Sequence, residues 1–232
     1  MKKNTADRDN VLDALRGIAA VMVVMFHLTI ASGEPDYGLH LGVTGVDLFF
    51  IISGFVIFMS LNKTKSSQAF VTNRFIRLYP TYWACVTFTF LLNCVYALGH
   101  NGIELSYFYS YLCNMTMFQH YMGVANLDGT YWTLIVEMAF YLTMLVIYHF
   151  GQLKHVEIIG CIITGVALVA TTLLKNISPV TYKKIDFLYP LLNHFPLFFA
   201  GILFYLIKND RSTLIRWIIC VLCFIISFVS YK

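Results

Sequence analysis

The sequence predicts an all-α protein, a polytopic bundle of transmembrane helices with about seven spans. Hydrophobic residues make up 59% of the chain, charged residues only 12%, and the mean hydropathy is +0.71. A soluble globule of this size needs more polar surface than this composition provides. Seven apolar stretches also approach the length of about 20 residues that crosses a bilayer. They cover residues 12–31, 43–61, 80–98, 130–150, 156–174, 187–207 and 214–231.

The lysines and arginines predict the topology, because cytoplasmic loops are enriched in both residues. With a cytoplasmic N-terminus, four of the 16 basic residues fall on the outer side and the others on the inner side. The inner residues are Lys2, Lys3, Arg8, Arg16, Lys63, Lys65, Arg74, Arg77, Lys154, Lys208, Arg211 and Arg216. The outer residues are Lys175, Lys183, Lys184 and Lys232. We therefore expect a multi-pass protein of the inner (cytoplasmic) membrane, whose partner is the lipid bilayer. We expect no binding of nucleic acid.

Two connections between the spans carry structure of their own. Residues 62–79 hold Arg74 and Arg77 one turn apart, with apolar residues on another side, which is typical of a helix in the cytoplasmic interface. Pro80 disfavours helical geometry at the preceding residue, so the third span should begin anew there. Residues 99–129 are aromatic but interrupted by polar side chains, and we expect them to lie in the interface or dip partly inward.

Two ionisable residues of the first span share one helix face. Arg16 and His27 are eleven residues apart, which is about 1100° of rotation and about 20° from three full turns. An unpaired ionisable group near the centre of a span costs about 2.5–3.5 kcal/mol on insertion scales, so each one is a candidate functional residue. Arg16 could also form a simple interfacial ion pair with Asp13, one turn earlier.

Three ionisable residues from separate spans are expected at one depth near the outer side. They are His27, Asp47 and Glu137, the last roughly 10 Å deep. A lone histidine is commonly a packing residue, and Asp47 could simply cap a helix. A carboxylate as deep as that of Glu137 must be paired or protonated. The shared depth favours an acid–base site, with His27 as general base and Glu137 or Asp47 orienting its ring.

Further polar residues complete the predicted site. Ser53 and Trp132 are further candidate hydrogen-bond donors at this site. Arg16, Arg74 and Arg77 are expected together on the inner side, where a guanidinium fork matches the geometry of a phosphate. A cytosolic phosphate-bearing ligand would suit them, although Arg74 and Arg77 could also be ordinary cytoplasmic anchors. We expect no metal site.

Four motifs in order resemble those of the integral-membrane acyltransferase-3 family, which includes O-acetyltransferases of O-antigen, capsule and exopolysaccharide. They are LDALRGIAAVMVVMFH, GVDLFFIISGFVI, FVTNRFIRLYP and YWTLIVEMAFYL. The resemblance covers about residues 11–145 and continues more weakly from Phe195. Any one motif is weak, whereas four in the same order are specific.

The resemblance implies a reaction and its site. Arg16 with His27, and Arg74 with Arg77, correspond to the functional pairs of that family. The implied donor is acetyl-CoA or another acyl-CoA, a co-substrate from the cytosol and not a bound cofactor. The implied acceptor is a hydroxyl of an extracytoplasmic or lipid-linked glycan. Direct transfer and an acyl-enzyme on His27 or Ser53 both remain open.

Members of that family usually have more spans than the seven predicted here. We therefore expect residues 1–232 to form a single membrane acyltransferase domain that lacks its C-terminal spans. Two other classes compete with acyl transfer. A transporter or flippase predicts polar residues along several helices, which spans 156–174 and 214–231 lack. An inactive truncated membrane subunit gives no reason for the spacing of Arg16 and His27.

Overall fold

The computed structural model describes residues 10–32, 42–100, 102, 104–210 and 212–230, and these residues fold into helices joined by short connections without a β-strand. The predicted all-α class is confirmed. The helices are α1 (Asn10–Ser32), α2 (Thr44–Lys63), α3 (Ser67–His100), α4 (Leu105–Met115), α5 (Trp132–His149), α6 (Val156–Val169), α7 (Lys175–Ile177), α8 (Pro179–Leu188), α9 (Phe195–Asn209) and α10 (Leu214–Ser230).

Five helical stretches in the described part are long and apolar enough to cross a membrane. They are Asn10–Leu28, Thr44–Lys63, Ser67–His100, Gly129–His149 and Leu153–Ile177. The apolar helices α9 and α10 are shorter. Some of the charges behind the predicted topology, those of Lys2, Lys3, Arg8, Arg211 and Lys232, lie outside the described residues.

The predicted break at Pro80 is wrong, because α3 runs without interruption from Ser67 to His100. Residues 67–79 are therefore the first turns of this 34-residue helix and not a separate interfacial helix. Proline removes only one backbone donor, and membrane helices tolerate it where neighbouring groups compensate. Next to Pro80, the Tyr79 ring stacks on Phe75 at 4.3 Å, and its hydroxyl donates to the Thr116 carbonyl at 3.0 Å.

The predicted span 187–207 begins too early. Its first two residues end α8, and its main helical part is α9, which starts at Phe195 with Pro196 in the first turn. Proline suits this position because the first helical N–H groups have no partner within the helix. Residues 189–194 form turns that join α8 to α9.

The long connection between α3 and α5 folds back along α3. The Tyr111 ring of α4 stacks on Phe90 of α3 at 4.4 Å. Further along α3, the Trp83 indole N–H donates to the Met115 carbonyl at 2.9 Å. This packing fixes the segment that leads into α5, whose residues line the cavity described below.

Helix α9 is the centre of the core. All nine residues from Phe195 to Leu203 are buried, as expected for a helix that is apolar on every side. It packs most extensively against α2, where Gly54 and Gly201 allow a close approach of the two backbones. A Cβ at Gly54 would lie 2.0 Å from the Phe198 carbonyl oxygen, and one at Gly201 would lie 2.0 Å from that of Ile51.

A partly exposed ion-pair cluster joins α10 to the rest of the bundle. The Arg216 guanidinium donates to both carboxylate oxygens of Glu157, at 2.6 and 3.0 Å, and to Asp210 at 2.9 Å. Such a two-point contact fixes orientation as well as distance. The cluster therefore connects the start of α6, the end of α9 and the start of α10.

We expect Gly54→Ala to lower the stability of the bundle, because the added methyl group meets backbone atoms that cannot rotate away. Overpacking of this kind costs about 1–3 kcal/mol. The midpoint of thermal unfolding in detergent measures the effect.

Gly165→Ala is the matched control, because nothing lies within 4 Å of a Cβ at this position in the middle of α6. Its midpoint should be unchanged or higher, since alanine favours helix more than glycine does. Equal midpoints for the two variants would contradict the close contact between α2 and α9.

Candidate active site

One cavity collects most of the predicted functional residues. It has a volume of about 350 Å³ and lies between α1, α2, α3 and α5. Seven of the eight predicted site residues line it, namely Arg16, His27, Ser53, Arg74, Arg77, Trp132 and Glu137. Apolar side chains such as Val23, Val46, Phe49 and Val56 form much of the remaining wall.

Three guanidinium groups surround one end of this cavity. Because α3 is continuous, Arg74 and Arg77 lie one turn apart on it, and Arg77 interacts electrostatically with Arg16 of α1. Arg16 also pairs with Asp13 at 3.6 Å, as its alternative interpretation predicted. The structure therefore brings the predicted arginines together from two helices.

Arg74 is held in place by α2 and by aromatic rings. Its Nη2 donates to the Ser60 hydroxyl at 3.0 Å. Its guanidinium carbon lies 5.6 Å from the centre of the Phe70 ring and 6.0 Å from that of Tyr141, distances typical of cation–π contacts. The Nε atom of Arg74 is buried and has no hydrogen-bond partner among the described residues. The guanidinium is thus oriented in advance of ligand binding.

Glu137 belongs to the arginine end of the cavity. One oxygen of its carboxylate accepts from the Ser53 hydroxyl at 2.8 Å and from the Tyr141 hydroxyl at 2.5 Å. The same carboxylate interacts electrostatically with Arg16 and Arg74. Glu137 is therefore paired, as its depth required, through a network that joins α2 to α5.

His27 lies at the other end of the cavity. Its side chain is exposed, and its Nδ1 lies 2.9 Å from the Val23 carbonyl oxygen one turn earlier. A carbonyl oxygen only accepts, so the neutral imidazole carries its proton on Nδ1. The lone pair of Nε2 is then available to accept a proton.

The contacts of Glu137 lie toward the arginines. Glu137 interacts electrostatically with Arg16, and Arg16 lies eleven residues before His27 on α1, which is about 16 Å along the helix axis. Among the described residues, no hydrogen bond joins His27 to Glu137. The shared depth of His27 and Glu137 stays a prediction.

Asp47 does not line the cavity. It lies in the first turn of α2, where a negative charge is stabilised by the helix dipole and the unpaired N–H groups. This position fits the helix-end alternative for Asp47 better than the predicted acid–base role. From the sequence, a carboxylate near the start of the second span fits a helix-end role and an acid–base role equally. Only the direction of its side chain separates the two interpretations.

Trp132 has two aromatic neighbours. Its ring lies 6.2 Å from Phe50 and 5.2 Å from His194, and the Phe50 and His194 rings are 5.0 Å apart. Its indole N–H has no hydrogen-bond partner among the described residues and remains a candidate donor to a ligand. His194 was not among the predicted site residues, although the predicted span 187–207 contains it.

Tyr141 is the second residue that the sequence reasoning missed. It touches both Glu137 and Arg74, and so links the acidic and basic parts of the site. The sequence did contain a signal for it, because Tyr141 follows Glu137 by four residues and residues four apart on a helix face the same side. Among the described residues, no group of three or more His, Cys, Asp or Glu side chains could hold a metal ion.

Three curated relatives show what the chain is similar to. It is 27% identical to "Nodulation protein 10" of Rhizobium leguminosarum bv. viciae, over 80% of this chain and 56% of the relative. It is 25% identical to "O-acetyl transferase" of Shigella phage Sf6, over 79% and 59%. It is 24% identical to "Peptidoglycan O-acetyltransferase OatA" of Listeria monocytogenes, over 56% and 22%.

The chain thus spans little more than half the length of the first two relatives. No solved structure matches it at a significant level. A family model described as "Acyltransferase domain" matches residues 9–231, which include every helix of the cavity. The predicted resemblance is confirmed, and the chain belongs to the acyltransferase-3 family of membrane acyltransferase domains.

Proposed function

We propose that this chain is a membrane O-acyltransferase that moves an acetyl or similar group from acyl-CoA to a hydroxyl of an extracytoplasmic or lipid-linked glycan. A single observation carries the proposal. One cavity joins a guanidinium cluster, suited to phosphates, to a histidine suited to accept a proton. Family membership and the names of two relatives, which are O-acetyltransferases, support acyl transfer over transport.

The arginine end suits the phosphates of a CoA thioester. Arg16, Arg74 and Arg77 provide three positive charges against the two carboxylates of Asp13 and Glu137, so an anionic ligand compensates the excess. Arg74 is already oriented by Ser60 and by aromatic rings, which lowers the entropy lost on binding. With the N-terminus in the cytoplasm, this end opens toward the cytosolic acyl-CoA pool.

The length of the cavity suits the thioester arm of CoA. About 16 Å of helix separates Arg16 from His27, a large part of the bilayer core of about 30 Å. The walls between the two ends are mainly apolar. An extended pantetheine chain would bring the thioester from the guanidinium cluster to the imidazole, where an acceptor hydroxyl arrives from the opposite side.

His27 acts as general base in the proposed transfer. The acceptor oxygen attacks the thioester carbonyl carbon, and its proton passes to Nε2 of the imidazole. The carbon–sulfur bond then breaks, and the proton passes from the imidazole to the departing thiolate of CoA. Trp132, with an indole N–H free of partners in the described part of the chain, is positioned to donate to the sugar or to the carbonyl oxygen.

We propose a role for Glu137 at the donor end in place of the predicted role beside His27. Its contacts with Ser53 and Tyr141 fix the side of α5 that faces the arginines. It also offsets part of their mutual repulsion. We therefore assign Glu137, Ser53 and Tyr141 to the donor end, where they keep the guanidinium groups in a binding arrangement.

His27→Ala should lower acyl transfer by about 10²–10⁴, the usual contribution of a general base. Transfer of labelled acetyl groups from acetyl-CoA to a glycan acceptor, in membranes with equal amounts of protein, measures the loss. His100→Ala is the matched control, because His100 makes the same contact with the carbonyl four residues earlier at 2.9 Å and does not line the cavity. Equal activity of the two variants would refute the base role.

Combined Arg74→Ala and Arg77→Ala should weaken acyl-CoA binding by at least about tenfold, because each removes a charge-assisted contact worth about 1.5–3 kcal/mol. A short acyl thioester without phosphates should react equally with the variant and with the original chain. Lys154→Ala with Lys208→Ala removes the same amount of charge outside the cavity. This variant should bind acyl-CoA and react with the short thioester like the original chain. Equal affinity for acyl-CoA in both double variants would return the arginines to a purely topological role.

Glu137→Gln tests which end of the cavity the carboxylate serves. We expect its KM for acyl-CoA to rise by about tenfold, since hydrogen bonds to a charged group contribute about 1.5–3 kcal/mol. The reaction with the short thioester should keep its rate and its pH profile. An equal loss with both donors, together with a shifted pH profile, would show that Glu137 serves His27 after all.

A further inference from the structure

A second cavity lies on the opposite side of α5 from the candidate active site. Its volume is about 630 Å³, larger than that of the first, and its lining is almost entirely apolar. Met138, Leu142 and Val146 of α5 form one wall, and Ile159 and Ile163 of α6 form the other. The cavity is therefore a groove between two helical stretches of membrane-spanning length.

The rims of the groove are apolar as well. Leu142 and Val146 on α5, and Ile162 and Val166 on α6, are exposed. In a spanning bundle such side chains face hydrocarbon. An apolar ligand is thus required, and the concave shape suits a flexible chain better than the convex side of another helix.

The groove ends beside a basic surface. Tyr121 lines the groove, and its ring lies 6.0 Å from that of Phe187 on α8. On the other side of Phe187, an open cavity of about 460 Å³ is lined by Phe187, Val180, Lys183 and Lys184. The rings of Tyr121 and Phe187 therefore lie between the apolar groove and the lysine pair.

The lysine pair keeps its charge available for a ligand. Lys183 and Lys184 are exposed, and in the described part of the chain neither forms an ion pair. The nearest acidic residue along the chain is Asp186. Its carboxylate accepts from the Asn193 side chain at 3.0 Å, so it is directed toward the turn before α9. The two positive charges are thus not neutralised from within α8.

We propose that this groove binds an anionic glycerophospholipid, with one acyl chain between α5 and α6 and its phosphate at Lys183 and Lys184. The charge of the lysines complements the phosphate, and the groove offers hydrocarbon contact directly beside it. The bilayer supplies this ligand at high local concentration. Occupancy supports the wall of α5 whose other side carries Glu137 and Tyr141. The proposal concerns a lipid site and does not depend on acyl transfer.

Native mass spectrometry of the purified full chain tests the proposal. The chain is exposed to equal amounts of phosphatidylglycerol, phosphatidylcholine and a polyisoprenyl phosphate, and the lipid retained after detergent removal is counted. We expect phosphatidylglycerol to be retained preferentially. Lys183→Gln with Lys184→Gln should reduce this preference by about tenfold or more, because each lysine near the headgroup contributes to binding of an anionic lipid. Leu142→Trp, which fills the groove, should reduce retention of both lipids.

Lys154→Gln with Lys208→Gln is the matched control, because it removes two positive charges outside both cavities. It should retain phosphatidylglycerol like the original chain, and unfolding midpoints confirm that all variants are folded. Unchanged retention in the Lys183→Gln, Lys184→Gln variant would overturn the headgroup assignment. Full retention by Leu142→Trp would overturn the groove assignment. Retention of a polyisoprenyl phosphate in place of phosphatidylglycerol would overturn the proposed class of lipid.

Discussion

The backbone contact between α2 and α9 is the constraint on which the rest of the bundle depends. Gly54 and Gly201 leave room for a carbonyl of the opposite helix, so the two helices meet without intervening side chains. In a bilayer, apolar burial provides little drive for helix association, and close packing of small residues takes its place. This contact sets the position of α2, and with it Ser53 on the face toward α5.

The charged residues of the site lie where other polar groups of the bundle can compensate their charge. At the arginine end, Ser53 and Tyr141 donate to the carboxylate of Glu137, and Ser60 accepts from the guanidinium of Arg74. An isolated charge in hydrocarbon would be costly, whereas these groups compensate one another in a shared cavity. His27 needs no such network, because its exposed ring lies at the open end and bonds only to its own helix. The two ends thus differ in hydrogen bonding, with a network between helices at the arginine end and a bond within α1 at His27.

The sequence predicted most of the spans well, because long apolar stretches in it coincide with helices. Five of the predicted spans correspond to helices of membrane-spanning length, and α10 matches its predicted stretch closely. Pro80 misled the reasoning because its effect was judged from the local backbone alone. The hydrogen bond from the Tyr79 hydroxyl to the Thr116 carbonyl comes from packing between distant segments, which no local rule contains. The late start of α9 had a local signal in Pro196, which the apolar run around it obscured.

For the site, the sequence by itself determined which residues are chemically unusual, because an ionisable group in an apolar span stands out in any arrangement of the helices. It also paired Arg16 with His27, since helical periodicity fixes the direction of both side chains. Only the tertiary structure decided that Glu137 joins the arginines, that Tyr141 links them, and that Asp47 lies outside the cavity. These outcomes depend on the relative level and rotation of separate helices. Those quantities arise from packing between helices, which the pattern along one helix does not contain.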